Sequence, residues 1–329
     1  MSKQLLKQKK VIIFVNYQLS IINYLSGLLI LIACTACHTN NSWLTKSTGQ
    51  PYEVLLVDDI DSIIFKELSV QLHNLPQPEP TFDVSTTDKE HFKWNAKTAR
   101  NIIMIKIDAD NKTISKQVTN PHSLREGVRG WVPVIEYEHD TYAQPQIIIT
   151  IKAPTAEMIK QKKDDIGQKI RQLLHNQEQK NEIMELQNNH AVQTEKVIKE
   201  MFNTDMLIPI EMTHMKQGKN FLWLSDNNPK SMQNICIFKG NNVDSILKVN
   251  MKGETDSIYM TLCNQQQIPD TPTLIKGLWE MKGDAMGGPY ILKKTDNVSV
   301  LAFIYAPDMK KRNKLKRLET AVLSIKNKN

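Results

Sequence analysis

Ile149-Thr150-Ile151-Lys152-Ala153-Pro154-Thr155 and Phe303-Ile304-Tyr305-Ala306-Pro307-Asp308 are the two stretches on which the reading of the fold turns. Each is an apolar strand signal closed by Ala-Pro, and each is followed by a residue able to cap a helix, Thr155 or Asp308. A strand that runs straight into a basic helix, twice, points to an α+β architecture. Two further landmarks recur in the same order. Arg100-Asn101-Ile102-Ile103 and Gln233-Asn234-Ile235-Cys236 each open a strand, and Gly130-Trp131 and Gly277-Leu278-Trp279 each open another. The expectation is two halves related by an internal repeat, built mainly of antiparallel strands packed with helices and joined by a long helical segment.

Working outward, the first half carries strand signals at 52–57, 81–85, 101–107, 131–138 and 147–153. Apolar residues at 64, 65, 68, 72 and 75 give Ser62 to Leu75 a helical spacing, with Asp61 or Ser62 as cap and Pro76, Pro78 and Pro80 as its end. Thr155 to about Phe202 reads as helix. If continuous, its 48 residues would reach ~70 Å. The polar run His175 to Glu182 interrupts it, as a solvated middle or as a bend. The second half has strand signals at 221–224, 235–239, 258–262, 277–282, 289–293 and 298–305, then a helix from Asp308 with the apolar stripe Leu315, Leu318, Val322 and Ile325.

The chain of 329 residues has a net charge of +7, with 40% hydrophobic residues and only 12 Gly and 14 Pro. That composition excludes collagen-like, mucin-like and disulfide-scaffold classes. Lys3, Lys7, Lys9 and Lys10, with no acid before Cys34, account for four of the seven positive charges and leave +3 for the remainder. Residues 310–329 carry eight basic side chains against Glu319, so everything between is net −4. A basic helix without interleaved aromatics reads as a solvated face, and no nucleic-acid partner is expected.

The lysines precede an apolar core that ends in Leu31-Ile32-Ala33-Cys34, the pattern of a secretory signal closing on a lipobox. This predicts a signal peptide over 1–33, acylation of Cys34 (the membrane anchor) and a lipidated tether over 34–48. Cys37 lies in a less typical box. A first α+β half would then span 49–203 and a second 204–329. Thr35, and not Asp, follows the lipid site, which by resemblance to Gram-negative lipoproteins implies the outer membrane, with the protein facing the periplasm.

No H-E-x-x-H, G-x-S-x-G, P-loop or G-x-G-x-x-G occurs, and the eight His at 38, 73, 91, 122, 139, 175, 190 and 214 show no metal-ligand spacing. No catalytic residue, metal or cofactor is assigned. Cys236 and Cys263 lie in strand signals and could pair as a disulfide in an oxidising compartment. The most distinctive run is Gly277-Leu278-Trp279-Glu280-Met281-Lys282-Gly283-Asp284-Ala285-Met286-Gly287-Gly288-Pro289-Tyr290. Its glycines predict a strand-turn-strand connection with positive φ at Gly287 or Gly288. The functional reading of the same loop is a pocket mouth at Trp279, Glu280 and Asp284.

That run resembles the W-E-x-x-G-D-x-M-G-G-P signature of a Bacteroidota lipoprotein family known as a domain of unknown function, number 4837. Other matching pieces are Gly49-Gln50-Pro51-Tyr52-Glu53-Val54, Leu75-Pro76-Gln77-Pro78-Glu79-Pro80-Thr81-Phe82, Arg100-Asn101-Ile102, Val243-Asp244-Ser245-Ile246-Leu247-Lys248 and Tyr305-Ala306-Pro307. Together they extend over about 49–325, with Lys276 where the family usually has Arg. The resemblance implies a lipidated envelope protein and carries no activity. The expected function is a non-enzymatic binding or assembly factor whose partner is an envelope protein or glycan. The alternative is a hydrolase-like enzyme with its site near Asp284.

Overall fold

The computed structural model describes residues 43–72, 75–107, 133–240, 242–268 and 271–327. The signal core, Cys34, Cys37, His73, His122 and Trp131 lie outside the described residues. Lys46 to Asn329 form one compact unit.

The first half is built on β1 (Glu53–Val57), α1 (Ile63–Leu68), β2 (Asp83–Thr87), β3 (Asn101–Ile107), β4 (Val134–His139) and β5 (Ile147–Ala153). The sheet order is β2-β1-β3-β5-β4. Its ladders are parallel except for β4 against β5, which corrects the antiparallel expectation for this half. The reason is burial on both faces. Ile147, Ile149 and Ile151 enter the helix-covered core, while Ile148 and Ile102 pack with Val57 on the opposite side. Such continuous apolar strands suit parallel sheets joined by crossovers.

Helix α1 ends far short of Leu75. Ser69 Oγ bonds back to Phe65 O, and the proline-rich return supplies other partners. Thr81 N donates to Val70 O and Leu72 N to Glu79 O, each at 2.8 Å. Asp59 replaces the expected caps, accepting from Ile64 N at 3.1 Å and Phe65 N at 2.9 Å, because Asp61 and Ser62 both sit at positive φ.

Thr155 caps α2 (Ala156–Gln161), its Oγ1 accepting from Met158 N. After a break at Lys162 comes α3 (Lys163–Asn188), 26 residues and ~39 Å long. Residues 189–191 separate it from α4 (Val192–Phe202). The helix therefore breaks on either side of the polar run and runs unbroken through it. His175 to Glu182 is neither a bend nor a solvated middle, since Gln177, Glu178, Asn181 and Glu182 are all buried. Upstream, Ile166, Ile170 and Leu174 pack on the first core; downstream, Leu186 enters the second.

The second half contains β6 (His214–Gln217), β7 (Phe221–Ser225), β8 (Met232–Phe238), α5 (Val243–Asn250), β9 (Tyr259–Ile268), β10 (Thr271–Lys282), β11 (Gly287–Lys294), β12 (Ser299–Tyr305) and α6 (Arg312–Leu323). Its seven strands run in the order β9-β10-β11-β12-β8-β7-β6 and pair antiparallel throughout. Helices α4 and α6 bring Ile198, Phe202, Leu318 and Val322 onto one face, and α5 brings Val243 and Leu247 onto the other. Among the described residues no helix is long and apolar enough to cross a membrane.

Two expectations fail on this topology. The Asn101 strand pairs in parallel with β5, whereas the Asn234 strand pairs antiparallel with β12. The landmarks recur but the ladders run opposite ways, so the halves are not copies. The possible Cys236–Cys263 disulfide is also absent, and both thiols are free. Cys236 on β8 and Cys263 on β9 have β12, β11 and β10 between them. At ~4.8 Å per strand that is about 19 Å, far beyond the ~7 Å a disulfide spans.

Candidate functional site

The Gly277–Tyr290 run is the β10–β11 hairpin, with Trp279 opposite Gly288 and Glu280 opposite Gly287. Trp279 is 2% exposed, donates its indole N–H to Ile304 O at 3.1 Å and lies edge-on to Phe303. A Cβ on Gly288 would overlap that same Ile304 oxygen. Gly287 and Gly288 are thus required by close approach, and the positive φ falls instead at Gly283 in the turn, at +81°. Asp284 is exposed and closes its own turn, its carboxylate accepting from Ala285 N at 2.6 Å. Glu280 is also exposed on the strand. The expected pocket mouth is a structural hairpin tip.

Sequence reasoning missed the polar junction. Glu178 on α3 is fully buried, and Arg100 grips it from the head of β3, Nε 2.9 Å from both carboxylate oxygens and a terminal nitrogen at 2.8 Å. Asn101 Nδ2 adds 2.7 Å to Glu178 Oε1 and 2.8 Å to Glu53 O. The next helix over, α6, is clamped at its start by the proline-rich segment. Glu79, 5% exposed, accepts from Lys311 N at 2.7 Å and Arg312 N at 2.9 Å, satisfying two orphan helix donors from the other half of the chain. This replaces the expected Asp308 cap, and Asp308 itself has positive φ. Arg312 continues to Pro80 O and Asp83, and its guanidinium covers the Tyr52 ring.

The basic residues of α6 are therefore not the solvated face the sequence suggested. Arg317 holds Glu185 and Glu211, and Glu319 is shared by Lys276 at 2.6 Å and Lys316 at 3.3 Å. Burial would raise Glu319, but the two lysines hold its carboxyl below the ordinary range; Lys316 is itself pushed down by burial. Leu72 and Leu75, freed from the shortened α1, close a chamber of about 50 Å³ beside these groups. Burial pushes Glu182 up to about 7 and His175 down to about 4. These charges bind one another, leaving the junction a weld between halves.

One helix face away, α3 borders a cavity of about 560 Å³. Ile183, Leu186, Met206, Leu207 and Leu323 supply apolar walls from α3, residues 206–207 and the end of α6. Its polar lining is largely committed elsewhere. Glu195 accepts from His190 Nδ1 and Ile208 N, both at 2.9 Å, and Asp205 pairs with Lys199 at 2.8 Å. Ser324 Oγ accepts from Leu207 N and donates to Ala321 O, while Thr320 donates to Lys316 O. Lys326 at the lip makes no ion pair among the described residues. No cluster of three His, Cys, Asp or Glu able to hold a metal occurs among the described residues. Concavity of this size with apolar walls suits ligand uptake. Its two described hydroxyls, Thr320 and Ser324, both donate to main-chain oxygens of α6.

Residues 191–324 match DUF4837, a domain of unknown function. The resemblance carried by the β10–β11 hairpin is thus borne out, over a narrower span than 49–325. Residues 47–189 match a second domain of unknown function, DUF8532. The two matches meet at the α3–α4 break, so the cavity is lined from both: Ile183 and Leu186 from the DUF8532 region, Met206 and Leu323 from the DUF4837 region. Among solved structures, the extracellular domain of PknH from Mycobacterium tuberculosis aligns at 10% identity over 31% of this chain and 61% of that chain, with a TM-score of 0.19. A Bacteroides thetaiotaomicron protein aligns at 13% identity over 38% of this chain and 45% of that chain, with a TM-score of 0.20. The chain thus spans less than two thirds of either structure. No curated protein matches it significantly.

Proposed function

We propose that this protein is a non-enzymatic binding protein of the cell envelope, anchored through a lipid on Cys34, facing the periplasm at the outer membrane and taking the apolar part of an envelope component into the α3–α6 cavity. The observation that carries the binding reading is the cavity itself: about 560 Å³, walled by aliphatic side chains, with its acids and hydroxyls already bonded inside the protein. Such walls favour a lipid-like group over a glycan, because desolvated sugar hydroxyls would find few free partners. The envelope reading rests on Leu31-Ile32-Ala33-Cys34 and the lysines before it. The enzyme alternative loses its motivation once Asp284 and Glu280 lie exposed on a hairpin.

Two measurements test it. The neutral dye N-phenyl-1-naphthylamine should brighten with the wild-type protein and far less with Ile183→Asp, a change at a position already 40% exposed; equal brightening would place the apolar site elsewhere. A clickable palmitate analogue should label cells expressing the wild type and not Cys34→Ala. Label retained in that variant would discard the anchor or shift it to Cys37.

A further inference from the structure

We infer that the α3–α6 cavity is a receptor for a single-chain anionic amphiphile, its alkyl chain on the aliphatic floor and its headgroup at Lys326. This deepens the binding reading and rests on it. Depth and polarity are sorted in one direction. The floor is buried and apolar, with Leu186 at 3% and Met206 at 4% exposure. The lip is exposed and holds the uncommitted polar groups. Gln179 and Gln187 flank Ile183 at four-residue steps along α3, so that amide, aliphatic and amide groups follow one another over ~12 Å of helix.

The lip also sets the sign of the head. Among the described residues Lys326 is the one cation of the lining, and both lining acids already have partners. Asp205 is engaged with Lys199, and Glu195 is engaged with His190 and the Ile208 amide. The amides of Gln179 and Gln187 can donate or accept, so the lysine sets the preference: it attracts an anionic head and repels a cationic one. The lysine acts as a compact charge that serves a carboxylate or a phosphate. The main-chain ladder between Lys326 and Asp205 fixes it at the rim. A volume near 560 Å³ accommodates one drug-sized body, and a chain filling it gains affinity with each methylene buried, about fourfold per carbon.

The test uses the full chain in its own membranes. Diazirine-bearing tetradecanoic acid and the matching tetradecanol are photolysed with those membranes, and labelled peptides are mapped by mass spectrometry. The acid should mark peptides spanning 179–187 and 205–207 several-fold more strongly than the alcohol. Lys326→Glu should cut acid labelling at least fivefold while leaving the alcohol unchanged, and Ile183→Asp should abolish both. Competition by unlabelled tetradecanoate against tetradecyl phosphate separates a carboxylate head from a phosphate head. Equal acid and alcohol labelling that ignores Lys326→Glu would overturn the anionic head while the apolar binding reading stands. Absence of cavity label from either probe, or label insensitive to Ile183→Asp, would overturn both.

Discussion

The polar junction and the cavity lie on adjacent faces of the same helix, yet they are opposite kinds of surface. The buried Glu178 carboxylate on α3 is held by Arg100 and Asn101 from a distant strand, and the result is rigid cohesion between halves. At Ile183, five residues along, the helix meets aliphatic side chains across an open space that no described residue fills. Buried charge matched by charge indicates architecture, whereas unfilled apolar concavity indicates a ligand. On the proposed reading, the conspicuous chemistry on this helix is structural and the inconspicuous chemistry serves binding.

The sharpest way to break that contrast is to remove one member of the buried pair. Arg100→Ala leaves Glu178 charged, fully buried and unmatched, and should cost about 3–5 kcal/mol, measured by urea unfolding. A loss below 1 kcal/mol would mean the junction is wet and the distinction false.

Next comes pH. Glu182 titrates at about 7 in the fold against 4.5 as its reference, so its contribution to stability is full below 4.5 and lost as pH rises through 7. His175 titrates at about 4 against 6.5, so its contribution is present above 6.5 and lost as pH falls through 4. Each shift corresponds to roughly 3 kcal/mol. The two slopes are opposite and nearly equal between pH 4.5 and 6.5, so they offset each other and the wild type should vary little across that range. Glu182→Gln should unmask a stability that rises from pH 4 to 6.5, and His175→Gln one that falls from pH 4.5 to 7, read from unfolding midpoints across pH 4–9. Parallel curves for all three proteins would remove the junction's titrating pair.

The hairpin gives a smaller effect. Gly288→Val pushes a side chain into the Ile304 carbonyl and the Trp279 indole, and should cost about 1–3 kcal/mol in thermal unfolding. Gly287→Val, whose Cβ would stand 2.8 Å from Trp279 O, should also destabilise. Variants that melt normally but fail to complement a deletion strain would return the motif to a functional role. Smallest of all, Ile183→Asp should change stability by no more than about 0.5 kcal/mol while removing dye binding. A large loss of stability there would make the cavity wall part of the core, and the contrast between the two faces would collapse.

Much of this fold was legible before any tertiary contact. The strand signals at 221–224, 235–239, 258–262, 277–282, 289–293 and 298–305 each fall on a strand of the second sheet, because alternation and β-branched composition are local properties. Thr155 as a cap and the apolar stripe of α6 are local too. The polar run 175–182 was misread because a segment without apolar residues looks solvated unless Arg100, Asn101 and Arg317 are known to face it. The cap of α6 was misplaced at Asp308 because Glu79 is more than two hundred residues away. The cavity had no signal at all, since Ile183 and Leu323 are ordinary aliphatic residues whose spacing describes only their own helices.

By itself, then, the amino-acid sequence determined the alternation of strands and helices, the α+β class and the family motif of the second half. It also supplied the lipobox on which the envelope proposal rests. Those follow from nearest-neighbour geometry and composition, which act within a few residues. Only the tertiary structure decided that the first sheet is mainly parallel, that three strands separate the cysteines, that the basic helix is internally neutralised and that α3 presents a packed face beside a concave one. Ladder direction, charge matching and concavity are relations between segments far apart in the chain. They are set by whichever packing buries the most apolar surface while leaving the fewest polar groups unpaired.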